Sequence, residues 1–428
     1  MDARPKTRQV NRERNTLTTQ PPRGAQQIVI PMTRPQYDEI WHDTERLRAF
    51  VAEWVGLAPE LFPVGFDQDY RLHGFGRESR KLPGLKLRKI ILADGVSYWL
   101  RPSFLISYMT GTVDELAYPL LLAAHGVPAW LLKVGFGHSE MYWYRVLERL
   151  GRSSLVGTTV RDPARMPGHL AADEHHADWT GEKGYVATTV VGGGCILGVA
   201  LTSAADDDHL QEAYGVFAAE ARDVKPEYAP ETVNTDGWAA TQNAFQSLFP
   251  TIVVVLCFLH GFLKIRDRCR KASELHRRVW EVYHAASAEE FRRLMSEFPQ
   301  WCSTQTLTAP VREMVAKLWA KTESYAAAYA HPGCHRTSNA VDRPMNRLCR
   351  LMYAGRGLHG HQGSSELRLR GWALLQNFRP YAPRGKCPRA FDSPAHRLND
   401  KRYHEHWLHN LMASTSLMGF RNPKPAIQ

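Results

Sequence analysis

Residues 169–260 constrain the fold more than any other stretch, because the hydrophobic period there switches between strand and helix in a set order. An apolar run, Leu170-Ala171-Ala172, leads into Asp173. Two β-branched and aliphatic runs follow, 185–191 and 195–201, separated by the hairpin signal Gly192-Gly193-Gly194. About four turns of helix come next, opened by Asp206-Asp207-Asp208. That triplet suits the positive end of a helix dipole better than a metal. Then come Thr232-Val233-Asn234-Thr235-Asp236-Gly237-Trp238, a short helix, and the β-rich run 251–257. The order is strand, strand, strand, helix, strand, helix, strand. Asp173 and Asp236 each fall near the end of a strand, the first and the fourth.

The remainder of the 428 residues divides by composition. Residues 1–28 are polar and basic (Arg4, Lys6, Arg8, Arg12, Arg14, Arg23), and a disordered arm is expected. Residues 29–110 read as an α+β region, with one amphipathic helix over 36–60 and a hairpin turning at Asp94-Gly95. Residues 111–152 read as a helix-turn-helix. Thr112-Val113-Asp114-Glu115 fits a capping box, His125-Gly126 ends the first helix, and Ser139 can cap the third. In the DNA-binding reading the third helix enters the major groove and Tyr142, Tyr144 or Arg145 reach DNA. In the other reading it is a helical hairpin that supports the next domain. Residues 152–168 are expected to be a linker. An α/β domain then spans 165–260 and 334–380, split by an all-α insertion over 261–333. A tail, 381–428, carries a short helix over 403–414.

The net charge of +11 favours a polyanionic partner. No apolar run reaches the ~18 residues of a spanning helix, and the polar N-terminus has no secretory h-region. Nucleic acid is therefore expected rather than membrane. Seven scattered cysteines suggest reduced thiols in a cytoplasmic compartment.

Acidic side chains gathered from distant positions suit hard divalent cations, which prefer oxygen ligands. Asp173, Asp236 and Asp342 are the candidates. Glu174 and, less strongly, Asp178 rival Asp173, and Glu366 rivals Asp342. Cys257-x-x-His260 closes the last strand; a core cysteine with a satisfied histidine is preferred there to a zinc site, which needs more ligands. Arg336, Arg343, Arg347 and Arg350 can face phosphates from one helix, or form a solvated helix face. Trp280 can stack on a base, or pack in a core.

The element order is that of the ribonuclease-H-like fold, in which the first and fourth strands are neighbours. Residues 169–380 resemble the catalytic domain of bacterial insertion-sequence transposases of the DDE class, the broad group with a helical insertion that includes the Mutator-like elements. The resemblance is carried by Ala171-Ala172-Asp173-Glu174, Asn234-Thr235-Asp236-Gly237-Trp238, Cys257-Phe258-Leu259-His260 and the segment from Arg336 to Arg343. In that last segment the family usually carries Glu before Arg, where this chain has Asp342. The resemblance implies an α/β, ribonuclease-H-like mixed sheet flanked by helices, and two Mg²⁺ or Mn²⁺ ions held by Asp173, Asp236 and Asp342. It implies cleavage at terminal inverted repeats and joining to target DNA, by at least a dimer, in a bacterial cytoplasm at the nucleoid. A catalytically inactive DNA-binding regulator and a ribonuclease-H-like nuclease are the alternatives.

Overall fold

The computed structural model describes residues 26–67, 69–179, 182–269, 273–383 and 390–420. The basic arm up to residue 25 and the end from 421 fall outside them. Of the expected arm, Gln27 and Ile28 already belong to a strand.

Two sheets organise the chain. The N-terminal one holds β1 (Gln27–Ile30), β2 (Tyr70–Phe75), β3 (Arg88–Leu92) and β4 (Ser97–Pro102) in the order β1-β4-β3-β2. β3 and β4 form the expected hairpin, with Gly95 at φ +82° in the turn, a conformation that glycine adopts without strain. The single helix expected over 36–60 is two, Arg34–Ile40 and Thr44–Leu57. Asp43 separates them: its carboxylate accepts from the N–H groups of Glu45 and Arg46, which starts a new helix.

Three helices follow, Val113–Ala124, Ala129–Phe136 and Glu140–Gly151. Thr112 and Glu115 close the capping box, and Ser139 caps the third helix. That third helix crosses Gln362–Phe378 at backbone contact. A Cβ on Gly151 would stand 1.8 Å from the Leu367 carbonyl oxygen, and one on Gly371 2.1 Å from that of Leu147. The supposed linker 152–168 is packed, not loose. Its short helix Leu155–Thr159 is wholly buried, and the Glu220 carboxylate accepts from the N–H groups of Leu155 and Val156 at 2.7 and 3.1 Å.

The second sheet holds β5 (His169–Trp179), β6 (Glu182–Gly192), β7 (Cys195–Thr202), β8 (Thr232–Thr235) and β9 (Val253–Leu256). Its order is β7-β6-β5-β8-β9. β6 runs antiparallel to its neighbours β5 and β7, whereas β8 and β9 run parallel to β5. Successive strand residues point to opposite faces. Leu170, Ala172 and Val233 therefore meet Phe217 and Phe245 of the helices Asp207–Val224 and Ala239–Leu248. On the other face, Ala171 belongs with Met345, Leu348 and Trp372 of the helices Asn339–Ala354 and Gln362–Phe378. The chain is thus mixed α/β, with two open mixed sheets.

After β9 the chain runs into Phe258–Arg268, Ser273–Tyr283, Ala288–Ser303, Ala309–Trp319 and Thr322–Ala326. These helices share a core around Ile265, Val279, Phe291 and Val315. The expected tail is not a tail. Helix Trp407–Ser414 is buried along most of its length, and the Ser416 hydroxyl accepts from the Val29 N–H of β1 at 2.9 Å. Among the described residues no helix is long and apolar enough to cross a membrane.

Candidate functional site

The parallel register of β5 and β8 pairs His169 with Thr232, Leu170 with Val233 and Ala171 with Asn234. Each β5 residue thus faces the one 63 positions further on, and Asp236 follows Asp173 by the same interval. The two strands bring the carboxylates near each other, Asp173 on β5 and Asp236 just past the last residue of β8. Asp173 is not at the end of its strand, as the sequence suggested. β5 runs on to Trp179, held by β6, and it is β8 that stops at Thr235. Gly237, at φ +97°, then turns the chain. An Asp236 oxygen accepts from the Trp238 N–H at 2.9 Å, which fixes the carboxylate beside the incoming helix Ala239–Leu248.

The electrostatics record the juxtaposition. Burial, then the Asp236 charge, then Glu174, push the Asp173 carboxyl up to about 7. Glu174, next along the strand, turns to the opposite face. There it accepts from the Tyr214 hydroxyl at 2.5 Å and the Thr241 hydroxyl at 2.7 Å. Burial raises Glu174 in spite of those two bonds. Both bonds fall on one Glu174 oxygen, and the Glu174 and Asp236 charges still act across the strand on the Asp173 carboxyl. Asp178 is exposed, further along β5.

Asp342 lies in the first turn of Asn339–Ala354, and one of its oxygens accepts from the Ser338 hydroxyl at 2.8 Å. The Ser338 N–H in turn donates to the Cys257 sulfur at 3.1 Å. Cys257 also raises His260, by hydrogen bonding, against the opposing effect of burial; the charges of Asp236 and Asp342 add to the rise. For the Cys257 thiol, burial works upward but is outweighed by hydrogen bonds with His260 and Ser338, so it lies below its ordinary value. Cys257 and His260 thereby link Asp342 to the Asp173–Asp236 pair. His260 is not the satisfied core histidine of the sequence reading: its Nδ1 is buried without a hydrogen-bond partner. Glu366 goes elsewhere. It accepts from the Leu201 N–H at 3.1 Å on β7, two strands away from β5.

Compared with known proteins, the chain matches no family model and no curated protein.

The candidate DNA contacts separate into two groups. Arg336 is spent internally: it donates to the Tyr283 carbonyl and the Tyr329 hydroxyl, both at 2.6 Å, with its guanidinium over both rings. Tyr142 donates to the Thr110 carbonyl at 3.0 Å and stacks on His138. Trp280 packs against Phe262 at 4.9 Å in the insertion. Arg145, Arg343, Arg347 and Arg350 are exposed.

Three residues at the site were given no role by the sequence, although Asn234 and Trp238 lie within the motif around Asp236. Asn234 points to the same face as Asp236; its amide donates to the Val255 carbonyl at 3.2 Å, while its Oδ1 is buried without a partner. Lys321 comes from the insertion, and its Nζ would stand 3.4 Å from a Cβ on Gly237. Trp238 is 54% exposed, with its indole N–H fixed to the Ala205 carbonyl at 3.0 Å.

Among the described residues, no three His, Cys, Asp or Glu side chains are gathered closely enough to hold a metal ion by themselves. The donor chemistry nevertheless suits a magnesium-like cation, which takes one or two protein carboxylates and completes its shell with waters and substrate phosphates. Asp173 and Asp236 supply those two carboxylates, and their mutual repulsion is what a cation would relieve. The unpartnered Asn234 Oδ1 is a further oxygen donor on the same face.

Proposed function

We propose that this chain is a DDE-type transposase on a ribonuclease-H-like domain, cleaving DNA at the ends of an insertion element and transferring the freed strand. One observation carries the reading: Asp173 on β5 lies close enough to Asp236, the first residue past the end of the neighbouring parallel strand β8, that burial and then the Asp236 charge push its carboxyl up to about 7. The strand order β7-β6-β5-β8-β9 and the net charge of +11 support it.

Asp173 and Asp236 would hold Mg²⁺ or Mn²⁺, with Asp342 as the third acid. Two such ions supply an activated nucleophile and a stabilised leaving oxygen in an in-line phosphoryl displacement. The chain's own residues set the stage. β5, paired on both sides, holds Asp173, and the end of β8 with the Trp238 N–H holds Asp236. His260, raised above its ordinary value chiefly by hydrogen bonding with Cys257 and further by the charges of Asp236 and Asp342, is an imidazole within electrostatic reach of both acids. Lys321 adds an ammonium group at the Gly237 turn, suited to a phosphate oxygen. The helix-turn-helix reading of 111–152 is kept only for the outward face that carries Arg145, since the opposite face meets Gln362–Phe378.

A second reading rests on Asp342, one methylene shorter than the family's glutamate and bonded to Ser338. It is a DNA-binding regulator without catalysis. The test is strand cleavage of duplexes carrying the element's ends, with Mg²⁺ or Mn²⁺. Asp173→Asn and Asp236→Asn should abolish nicking while DNA binding persists; a variant that still nicks removes its residue from the site. Binding without nicking by the unaltered protein would establish the regulator. Cutting without joining would establish a nuclease.

A further inference from the structure

Arg343, Arg347 and Arg350 lie four and three residues apart on Asn339–Ala354, so they share an exposed face. That face adjoins the C-terminal end of Gln362–Phe378 and the end of Val113–Ala124. Gln376, only 3% exposed, ties the junction together. Its Oε1 accepts from Arg347 Nη1 at 3.3 Å and from Arg379 Nε at 2.9 Å. Its amide nitrogen donates to the Ala124 carbonyl. Arg379 Nη1 lies 3.2 Å from His125 Nε2. Arg350 packs beside Gly126.

Elsewhere the chain matches its arginines readily, Arg368 with Glu148 at 2.9 Å and Arg292 with Glu323 at 2.9 Å. Here, among the described residues, no carboxylate forms an ion pair with any of the four arginines. They act on one another instead. Burial, then Arg347, bring Arg379 down to about 10. Burial, then Arg343 and Arg350, lower Arg347. A neutral amide thus fixes the guanidinium groups of Arg347 and Arg379, with Arg343 and Arg350 exposed beside them on the same helix face. Planar guanidinium groups so fixed match phosphate oxygens with two parallel hydrogen bonds each.

We propose that Arg343, Arg347, Arg350 and Arg379, organised by Gln376 and flanked by His125, form a clamp for the phosphodiester backbone of DNA. The inference rests on the nucleic-acid reading above and gives it a site. The helix bearing Arg343, Arg347 and Arg350 also carries Asp342 in its first turn, so the clamp and that acid share one element. Phosphate contacts fix position and carry no sequence information, so the clamp contributes alike to every sequence.

The experiment is fluorescence anisotropy of the full chain with a mixed-sequence duplex of about 30 base pairs, titrated with NaCl in EDTA. Arg347→Gln and Arg379→Gln should each reduce the log–log salt slope by about 1, with a roughly 5- to 20-fold loss of affinity near 0.1 M salt. Arg379→Gln also breaks structural bonds. Arg343→Gln therefore serves as the second variant, since the Arg343 side chain makes no hydrogen bond or ion pair among the described residues. Arg347→Lys, which keeps the charge, should retain the slope. Unchanged slopes in Arg343→Gln and Arg347→Gln overturn the clamp. So does inorganic phosphate that raises the melting temperature while those variants bind duplex normally, because the cluster then serves a small phosphate. Asp173→Asn should bind with the original slope, so failure of the carboxylate site and failure of the clamp remain distinguishable.

Discussion

Asp173→Asn should make the metal-free protein more stable, not less. The carboxyl is pushed from an ordinary 3.8 up to about 7, by burial first and by Asp236 second. The sign follows from linkage. A raised acid binds its proton more tightly in the folded state. Its favourable contribution is complete below pH ~4 and is lost as pH rises through ~7. Each unit is worth about 1.4 kcal/mol, which sets a ceiling of about 4 kcal/mol above pH 7. Water penetration and relaxation reduce such ceilings, and about 1–3 kcal/mol is the expected yield. Asparagine keeps the shape and removes the charge. In EDTA at pH 8 its melting midpoint should rise by a few degrees over the unaltered protein, at about 2 °C per kcal/mol. At pH 4 the two should coincide. Millimolar Mg²⁺ should raise the midpoint of the unaltered protein at pH 8, by mass action on the folded state, and leave the variant where it was. A midpoint that falls in Asp173→Asn at pH 8, or a gain equally large at pH 4, refutes the account of two repelling, half-buried carboxylates.

Two further expectations concern other parts of the molecule. Gly371→Ala would drive a Cβ to 2.1 Å from the Leu147 carbonyl, an overpacking expected to cost about 3 kcal/mol or more; a denaturant midpoint within error of the unaltered protein would refute the close helix crossing. Trp238→Ala should leave the fold intact, because the ring is 54% exposed, but weaken single-stranded DNA binding by about 1–3 kcal/mol. Equal affinity in a filter-binding titration would remove Trp238 from the substrate path.

The two sheets differ in how much of them the sequence revealed. The order of elements over 169–260 was legible because glycines and period switches punctuate it: Gly193 and Gly194, both at positive φ, form the turn between β6 and β7. The pairing of Asp173 with Asp236 followed from that order. The length of β5 did not, because Glu174-His175-His176 looks polar and terminal, whereas Tyr214 and Thr241 give Glu174 partners across the sheet. Helix Leu155–Thr159 has a local cap in Ser154, which accepts from the Gly157 N–H at 3.0 Å, but the burial that sustains so short a helix, and the Glu220 carboxylate on its first N–H groups, come from more than sixty residues away. Asp43, a local cap, was legible in principle and overlooked within an apolar stripe. The alternatives at the third acid were separable only in space. Glu366 and Asp342 sit on adjacent helices, and it is the Leu201 N–H that draws the former to the outer strand.

Ser416 touches Val29 across 387 residues, and Thr415 reaches Arg101 of the same small sheet at 3.2 Å. During synthesis the strands around Val29 and Arg101 must therefore wait, incompletely sealed, until residues 407–416 have left the ribosome, and long-range closure of this kind is slow. A product stopped by a premature codon before residue 407 would carry every acid discussed above and still lack the plug for its first-made layer. Nonsense changes just before residue 407 should accordingly be as damaging as those before Asp173, with the shortened chain lost to proteolysis rather than released as a working fragment.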